Sequence, residues 1–285
     1  MELVIRRAQP NDAGACGRIC YEAFATIAGA HNFPADFPNA EIASGLLGGL
    51  ISHQGYFGLV AEQNGKIAGS NFLDQRNPIS GVGPITVDPA AQNIGVGARL
   101  MREVLQRSAS KGFAGIRLVQ SGYHCRSLSL YSKLGFEVRE PLACMQGAAI
   151  NETMLGYHVR KANGGDEETC NRLCLRVHGH DRGGEFRDAV ARGTAKVVER
   201  LGRITGYTTQ IAFFGHSVAE STDDLKAMIS ASESFAGPGV LVPMRNGELM
   251  RWCLAKGLRV TQPLNLMTIG LYGEPAGAYL PSIIY

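Results

Sequence analysis

Pro84-Ile85-Thr86-Val87-Asp88-Pro89 is followed, after two alanines, by Gln92-Asn93-Ile94-Gly95-Val96-Gly97-Ala98, and this loop opens directly onto a segment of helical spacing. The run Ile79–Val87 reads as a strand, and Pro89, which has no N–H to give a ladder, ends it. Beyond the loop, Leu100, Met101, Val104 and Leu105 fall on one face and predict a helix over Gly97–Lys111. A strand, a glycine-bearing loop and a helix in that order suit an anion. The first helical turn has unpaired N–H groups and the positive end of the macrodipole. Glycines let the backbone close around a phosphate with no Cβ in the way. The pattern is not the dinucleotide fingerprint G-x-G-x-x-G, which would need glycine where Leu100 stands, nor the nucleotide P-loop, whose Gly-Lys-Ser/Thr is absent. Alone, it would fit a plain strand-to-helix turn equally well.

Working outward, Leu3–Arg7 reads as a strand, and Asn11 and Asp12 can cap a helix running to about Thr26. A second helical stretch spans Asn39–Ser52. Strands at Tyr56–Gln63 and Lys66–Asp74 are joined by Asn64-Gly65, a strong hairpin signal. After the long helix come a strand at Gly115–Val119, a helix at Arg126–Leu134, and a pair of strands over Phe136–Met145 bent at Pro141. The order β-α-α-β-β-β-α-β-α-β-β is a mixed sheet flanked by helices, in the α/β (α+β) class.

The constellation Ile85-Thr86-Val87-Asp88-Pro89, then Gln92-x-x-Gly95-x-Gly97-x-x-Leu100, then Tyr131-x-Lys133-x-Gly135-Phe136, resembles the GNAT superfamily of acyl-CoA-dependent acyltransferases. The resemblance covers roughly residues 1–147. It implies that the arm of acetyl-CoA runs along the backbone of Ile85, Thr86 and Val87. It also implies that the pyrophosphate takes N–H groups from Gln92, Asn93, Ile94, Gly95, Val96, Gly97 and Ala98. Tyr131 stands where the family commonly has its general acid. His124 occupies a position where asparagine often contacts the arm, and Ser127 one where alanine is usual, so both are expected beside the cofactor.

The chain also repeats. Ile5-Arg6-Arg7-Ala8, Asp12, Cys16, Arg18 and Cys20 are echoed by Val159-Arg160-Lys161-Ala162, Asp166, Cys170, Arg172 and Cys174, at an offset of 154. Gly135-Phe136, Val138, Pro141-Leu142 and Met145 are echoed by Gly257-Leu258, Val260, Pro263-Leu264 and Met267, at an offset of 122. Two tandem GNAT-like domains follow, 1–147 and 156–285, with the boundary around Gly147–Gly156 and the second copy 32 residues shorter (154 − 122). By these offsets Cys253 stands in place of Tyr131 and Asn246 in place of His124, and no Gln/Arg-x-x-Gly-x-Gly lies between Phe213 and Gly247. The second copy is therefore expected to be degenerate, lacking the phosphate loop.

A net charge of +3 over 285 residues, with no run of five like charges, points away from nucleic acid, and no apolar stretch is long enough to span a bilayer. Seven cysteines with no C-x-x-C pair read as reduced thiols in a cytoplasm. Cys16/Cys20 and Cys170/Cys174 sit one helical turn apart and are expected at core positions. His178-Gly179-His180-Asp181 could supply metal ligands but reads better as a polar loop, so no metal is expected. Gly215-His216-Ser217-Val218-Ala219, after the apolar run Ile211–Phe214, resembles the nucleophile elbow of hydrolases, yet no histidine follows His216 to act as base.

The expected reaction is attack by an amine on the thioester of acetyl-CoA. An alkyl ammonium with pKa near ~10.4 costs about 4.6 kcal/mol to deprotonate at pH 7, so the base matters more than the acid. Glu22, Asp74, Asp88 and a water are all admissible bases. The acceptor is expected to be a small-molecule amine, or a protein N-terminus or lysine. The rival reading is a non-catalytic acyl-CoA sensor or scaffold, which would need the loop but not Tyr131.

Overall fold

A computed structural model of the chain describes residues 3–285. The first half runs β1 (Leu3–Arg7), α1 (Ala13–Ala30), α2 (Ala40–Ser52), β2 (Tyr56–Gln63), β3 (Lys66–Asp74), β4 (Ile79–Val82), β5 (Thr86–Val87), α3 (Val96–Ser110), β6 (Gly115–Ser121), α4 (Cys125–Lys133) and β7 (Glu137–Gln146). The second runs β8 (His158–Lys161), α5 (Glu167–His178), α6 (Gly183–Arg192), β9 (Lys196–Arg200), β10 (Arg203–Thr208), β11 (Ser217–Ala219), α7 (Thr222–Ser230), β12 (Val240–Pro243), α8 (Gly247–Ala255), β13 (Arg259–Gly270) and β14 (Ala278–Leu280). Among the described residues no helix is long and apolar enough to cross a membrane.

The repeat is carried element by element. An offset of 122 maps α4 onto α8 and the start of β7 onto that of β13, while 154 maps the start of α1 onto that of α5. The hairpin turns Asn64-Gly65 and Leu201-Gly202, all with positive φ, correspond at 137. The shortening thus falls in two places, before and after the hairpin. Each half carries the same ion cluster. Arg6 Nη1 donates to Asp12 at 2.8 Å and its Nε to Glu62 at 2.9 Å, and Arg160 does the same to Asp166 and Glu199, both at 2.8 Å. This corrects one expectation: the Asp12 carboxylate does not cap α1, because it is held by Arg6 and by the backbone N–H of Gln9 at 2.7 Å.

The sheets divide at a different place from the repeat. One has the order β1-β2-β3-β4-β6-β13-β7-β12, with β5 paired to β3; the other is β14-β11-β10-β9-β8. Strand β13, from the second half, lies between β6 and β7 of the first, from Gly270↔Gly115 to Leu264↔Ser121 on one side and from Arg259↔Gln146 to Thr268↔Glu137 on the other. The cluster of Ile79, Leu142, Phe213, Leu241, Leu264 and Leu266 is the shared core beneath this exchange. Pro141 does not bend β7, which is one strand. Its carbonyl faces β12 and accepts Met244 N–H at 2.9 Å where that pairing ends, so the missing proline N–H breaks no ladder bond.

Candidate functional site

The expected strand Ile79–Val87 is broken at Gly83-Pro84 into β4 and β5, and the break makes the cleft. β4 pairs in parallel with β6 from Ile79↔Gly115 to Gly81↔Arg117 and no further. β5 stays on β3 through Gly69↔Val87 and Ser70↔Thr86. Residues 83–87 and 118–121 therefore diverge with no strand between them, leaving the outer edge of β5 free to pair with an extended ligand. The cavity there has a volume of about 640 Å³.

The loop closes one end of it. Asn93 and Gly95 have φ of 66° and 89°, the left-handed region that glycine enters at no steric cost, and Gly95 caps α3. Gly97 lies against Val87, where a Cβ would stand 3.6 Å from Cγ2, so glycine keeps open the ligand side rather than relieving a clash. Gln92 Nε2 donates to the Val87 carbonyl at 3.3 Å. Arg126 reaches back from α4 and donates to Gln92 Oε1 at 2.6 Å and Asn93 Oδ1 at 3.2 Å. Sequence reading missed this arginine, because a separation of 34 positions between Gln92 and Arg126 hides their proximity.

Twelve of the thirteen expected residues border the cavity: Ile85, Thr86, Val87, Gln92, Asn93, Gly95, Val96, Gly97, Ala98, His124, Ser127 and Tyr131. Ile94 does not; its side chain points outward and is 55 % exposed. Tyr131 is buried beside Phe136, ring centroids 6.1 Å apart, and burial pushes its phenol well above the usual range, so it stays protonated. Among the described residues no protein group hydrogen-bonds its hydroxyl. Burial, with Arg126 and His31 nearby, lowers His124 to about 4, so the ring is neutral at pH 7, and its buried Nε2 has no partner. Ser127 Oγ is engaged internally, donating to His124 O at 2.9 Å and accepting from Gln120 Nε2 at 3.1 Å.

None of the three carboxylates considered as base borders the cavity. Asp74 is paired with Arg76, whose Nε lies 2.9 Å away, Glu22 pairs with Arg18 at 3.0 Å, and Asp88 caps Ala90 N–H at 2.9 Å. The carboxylate that does border it is Asp36, in the α1–α2 loop. Burial raises its pKa, against the pull of a hydrogen bond from Gln262 Nε2 at 3.0 Å, a donor on β13 of the second half. Nothing in the local sequence marks Asp36. Helices α1 and α2 cross so tightly that a Cβ on Gly17 would stand 2.1 Å from Ser44 Oγ, and Phe33 stacks on Tyr123 at 4.3 Å, which together hold this loop over the cleft.

The other motifs are structural. Ser217 is buried inside β11 and donates to Thr208 Oγ1 at 2.9 Å rather than standing at an elbow, and the apolar run 211–214 before it forms no strand. His178 and His180 stack at 5.9 Å, and His180 Nε2 lies 2.8 Å from Tyr285 Oη. Among the described residues no three potential ligands are gathered for a metal. Cys16, Cys20, Cys170 and Cys174 are buried in two apolar clusters.

Residues 24–136 match the model of the acetyltransferase (GNAT) family. A mycothiol acetyltransferase of Amycolatopsis mediterranei (strain U-32) is 34% identical over 99 residues, 32% of this chain and 32% of that protein, so the match spans about a third of the relative's length. A Pyrococcus horikoshii protein designated an acetyltransferase shares the fold over 99% of this chain and 92% of its own, with a TM-score of 0.73 at 17% identity. A tandem GNAT protein from the clavulanic acid biosynthesis pathway does so over 94% and 98%, with a TM-score of 0.55 at 14% identity.

Proposed function

We propose that this chain, a member of the GNAT acetyltransferase family with two GNAT-like units, transfers an acetyl group from acetyl-CoA to an amine by direct attack in the cleft between β5 and β6. Acyl transfer is the family's chemistry; the donor, acceptor and residue roles are our reading. One observation carries it: the free edge of β5, the glycine loop and Tyr131 border a single cavity. The residues fit the donor. An apolar channel suits its arm, and the N-terminus of α3 with Arg126 suits its pyrophosphate. In this reading residues 1–147 hold the transfer site and residues 156–285 are its structural partner.

Asp36 accepts the proton of the incoming ammonium, a step its raised pKa favours over an exposed aspartate. The freed nitrogen attacks the thioester carbon, and the C–S bond breaks as the C–N bond forms. Tyr131 gives its phenolic proton to the departing sulfur, and the second proton lost by nitrogen restores the phenol. The net products are an amide, a thiol and one proton. A sensor would need no proton donor beside the sulfur, so Tyr131 favours catalysis. Release of free thiol from acetyl-CoA in the presence of amines tests this; acetyl-CoA binding with no thiol release from any amine would leave only the sensor.

A further inference from the structure

The cavity continues past the loop into a chamber built by both halves. Phe24 of α1 and Phe37 of the following loop lie 6.2 Å apart, ring to ring, and join Phe214 and Ile284 of the second half in one apolar cluster. All four border the cavity, as do Phe213 and Ile283, whose backbones are tied by Ile283 N–H to Phe213 O at 2.9 Å. Among the described residues that border it, Asp36 is the one carboxylate. Of the cations that border it, Arg126 is occupied at the loop, Lys133 is exposed on α4, and His124 is neutral. The chamber thus offers one anionic anchor inside apolar walls. Against Phe24, Phe37, Phe213, Phe214, Ile283 and Ile284 a second ammonium would be desolvated without an anionic partner. An apolar body would gain from burial against aromatic rings.

Building on the acyl-transfer reading, we infer that the acceptor is a monoamine with an apolar body, aromatic or branched alkyl. Its nitrogen sits at Asp36 and its body against Phe24, Phe37, Phe214 and Ile284. The second half, through Gln262, Phe214 and Ile284, sets the acceptor rather than binding a second donor.

The test uses the full chain with acetyl-CoA and compares 2-phenylethylamine and 3-methylbutylamine with spermidine, glucosamine and a lysine-rich peptide, reading thiol release. We expect kcat/KM at least tenfold higher for the two apolar monoamines. We also expect Phe214→Ala and Ile284→Ala each to raise KM for 2-phenylethylamine several-fold while the calorimetric Kd for acetyl-CoA stays unchanged. Preference for spermidine, glucosamine or the peptide, with acetyl-CoA bound, overturns the inference and leaves acyl transfer standing. So would apolar-amine KM values that neither substitution moves. Failure to bind acetyl-CoA at all removes the underlying reading as well.

Discussion

The two halves began from one plan and treat the same cleft in opposite ways. In the first, β4/β5 and β6 part and the space between them stays open. In the second, the corresponding strands are β11 and β12, and β14 narrows the gap by pairing with β11 from Ser217↔Leu280 to Ala219↔Ala278, next to β12, leaving a smaller cavity of about 360 Å³ bordered by Ser221, Pro243, Asn246 and Tyr279. The loop that leads into α3 through Gly95 is replaced by a tight cap, where Ser221 Oγ accepts Asp224 N–H at 3.3 Å at the start of α7. At the next helix His124 borders the cavity and makes no side-chain cap, whereas its counterpart Asn246 caps α8 by accepting Leu249 N–H at 3.0 Å. Tyr131 borders open space, and Cys253 in its place is sealed in the core. The shorter second half thus places its own strand β14 where the first half leaves the edge of β5 free. The segment after β14 then supplies Ile283 and Ile284 to the first half's cavity. The same C-terminal stretch of chain narrows one cleft and lines the other.

The contrast can be broken most sharply at Gly95. An aspartate there must adopt the left-handed backbone and places a carboxylate against a bound pyrophosphate. Gly95→Asp should weaken acetyl-CoA binding by about a thousandfold or more, roughly 4 kcal/mol, read by calorimetry. Next is the plug. Leu280 is buried in the second half's core, and Leu280→Ala should cost about 2–4 kcal/mol of stability in chemical denaturation. Loosening β14 should create no second acetyl-CoA site, because no phosphate loop lies behind it; a second site appearing would show that the strand alone keeps that half silent.

Tyr131→Phe should lower kcat about a hundredfold and leave acetyl-CoA affinity unchanged, since no protein hydrogen bond is lost. Unchanged turnover across the pH range would remove Tyr131 as the acid. The smallest effect concerns what the halves still share. Arg6 and Arg160 hold Asp12 and Asp166 below the usual carboxylate range. Their stabilisation is present above the unfolded aspartate pKa of about 3.9 and is lost as pH falls through the lower folded values. Asp12→Asn and Asp166→Asn should each cost about 1.5–3 kcal/mol near neutrality, and alike. A large difference between them would mean that the two clusters no longer play equivalent parts.

What could be read from sequence follows the range of the interaction. The Asn64-Gly65 hairpin, the apolar face of α3 and the Asn39 cap of α2, which accepts Ile42 N–H at 2.9 Å, depend on residues a few positions apart, and these elements fall where spacing puts them. The repeat was visible because each offset preserves whole elements. Gly83-Pro84 is itself a turn signal, but the change of partner there, from β6 for β4 to β3 for β5, depends on strands far apart in the chain and could not be read from spacing. Nor could spacing place β13 between β6 and β7, since strand order is a long-range property. Asp36 and Arg126 were missed for the same reason: each gains its place from elements far along the chain.

We propose that one half of this tandem protein takes acetyl-CoA and that the other, its cleft narrowed by β14 and without a phosphate loop, does not. Calorimetric titration of the full chain with acetyl-CoA measures that directly. The account predicts one site per chain, abolished by Gly95→Asp; two sites, or one site that survives that substitution, would contradict it.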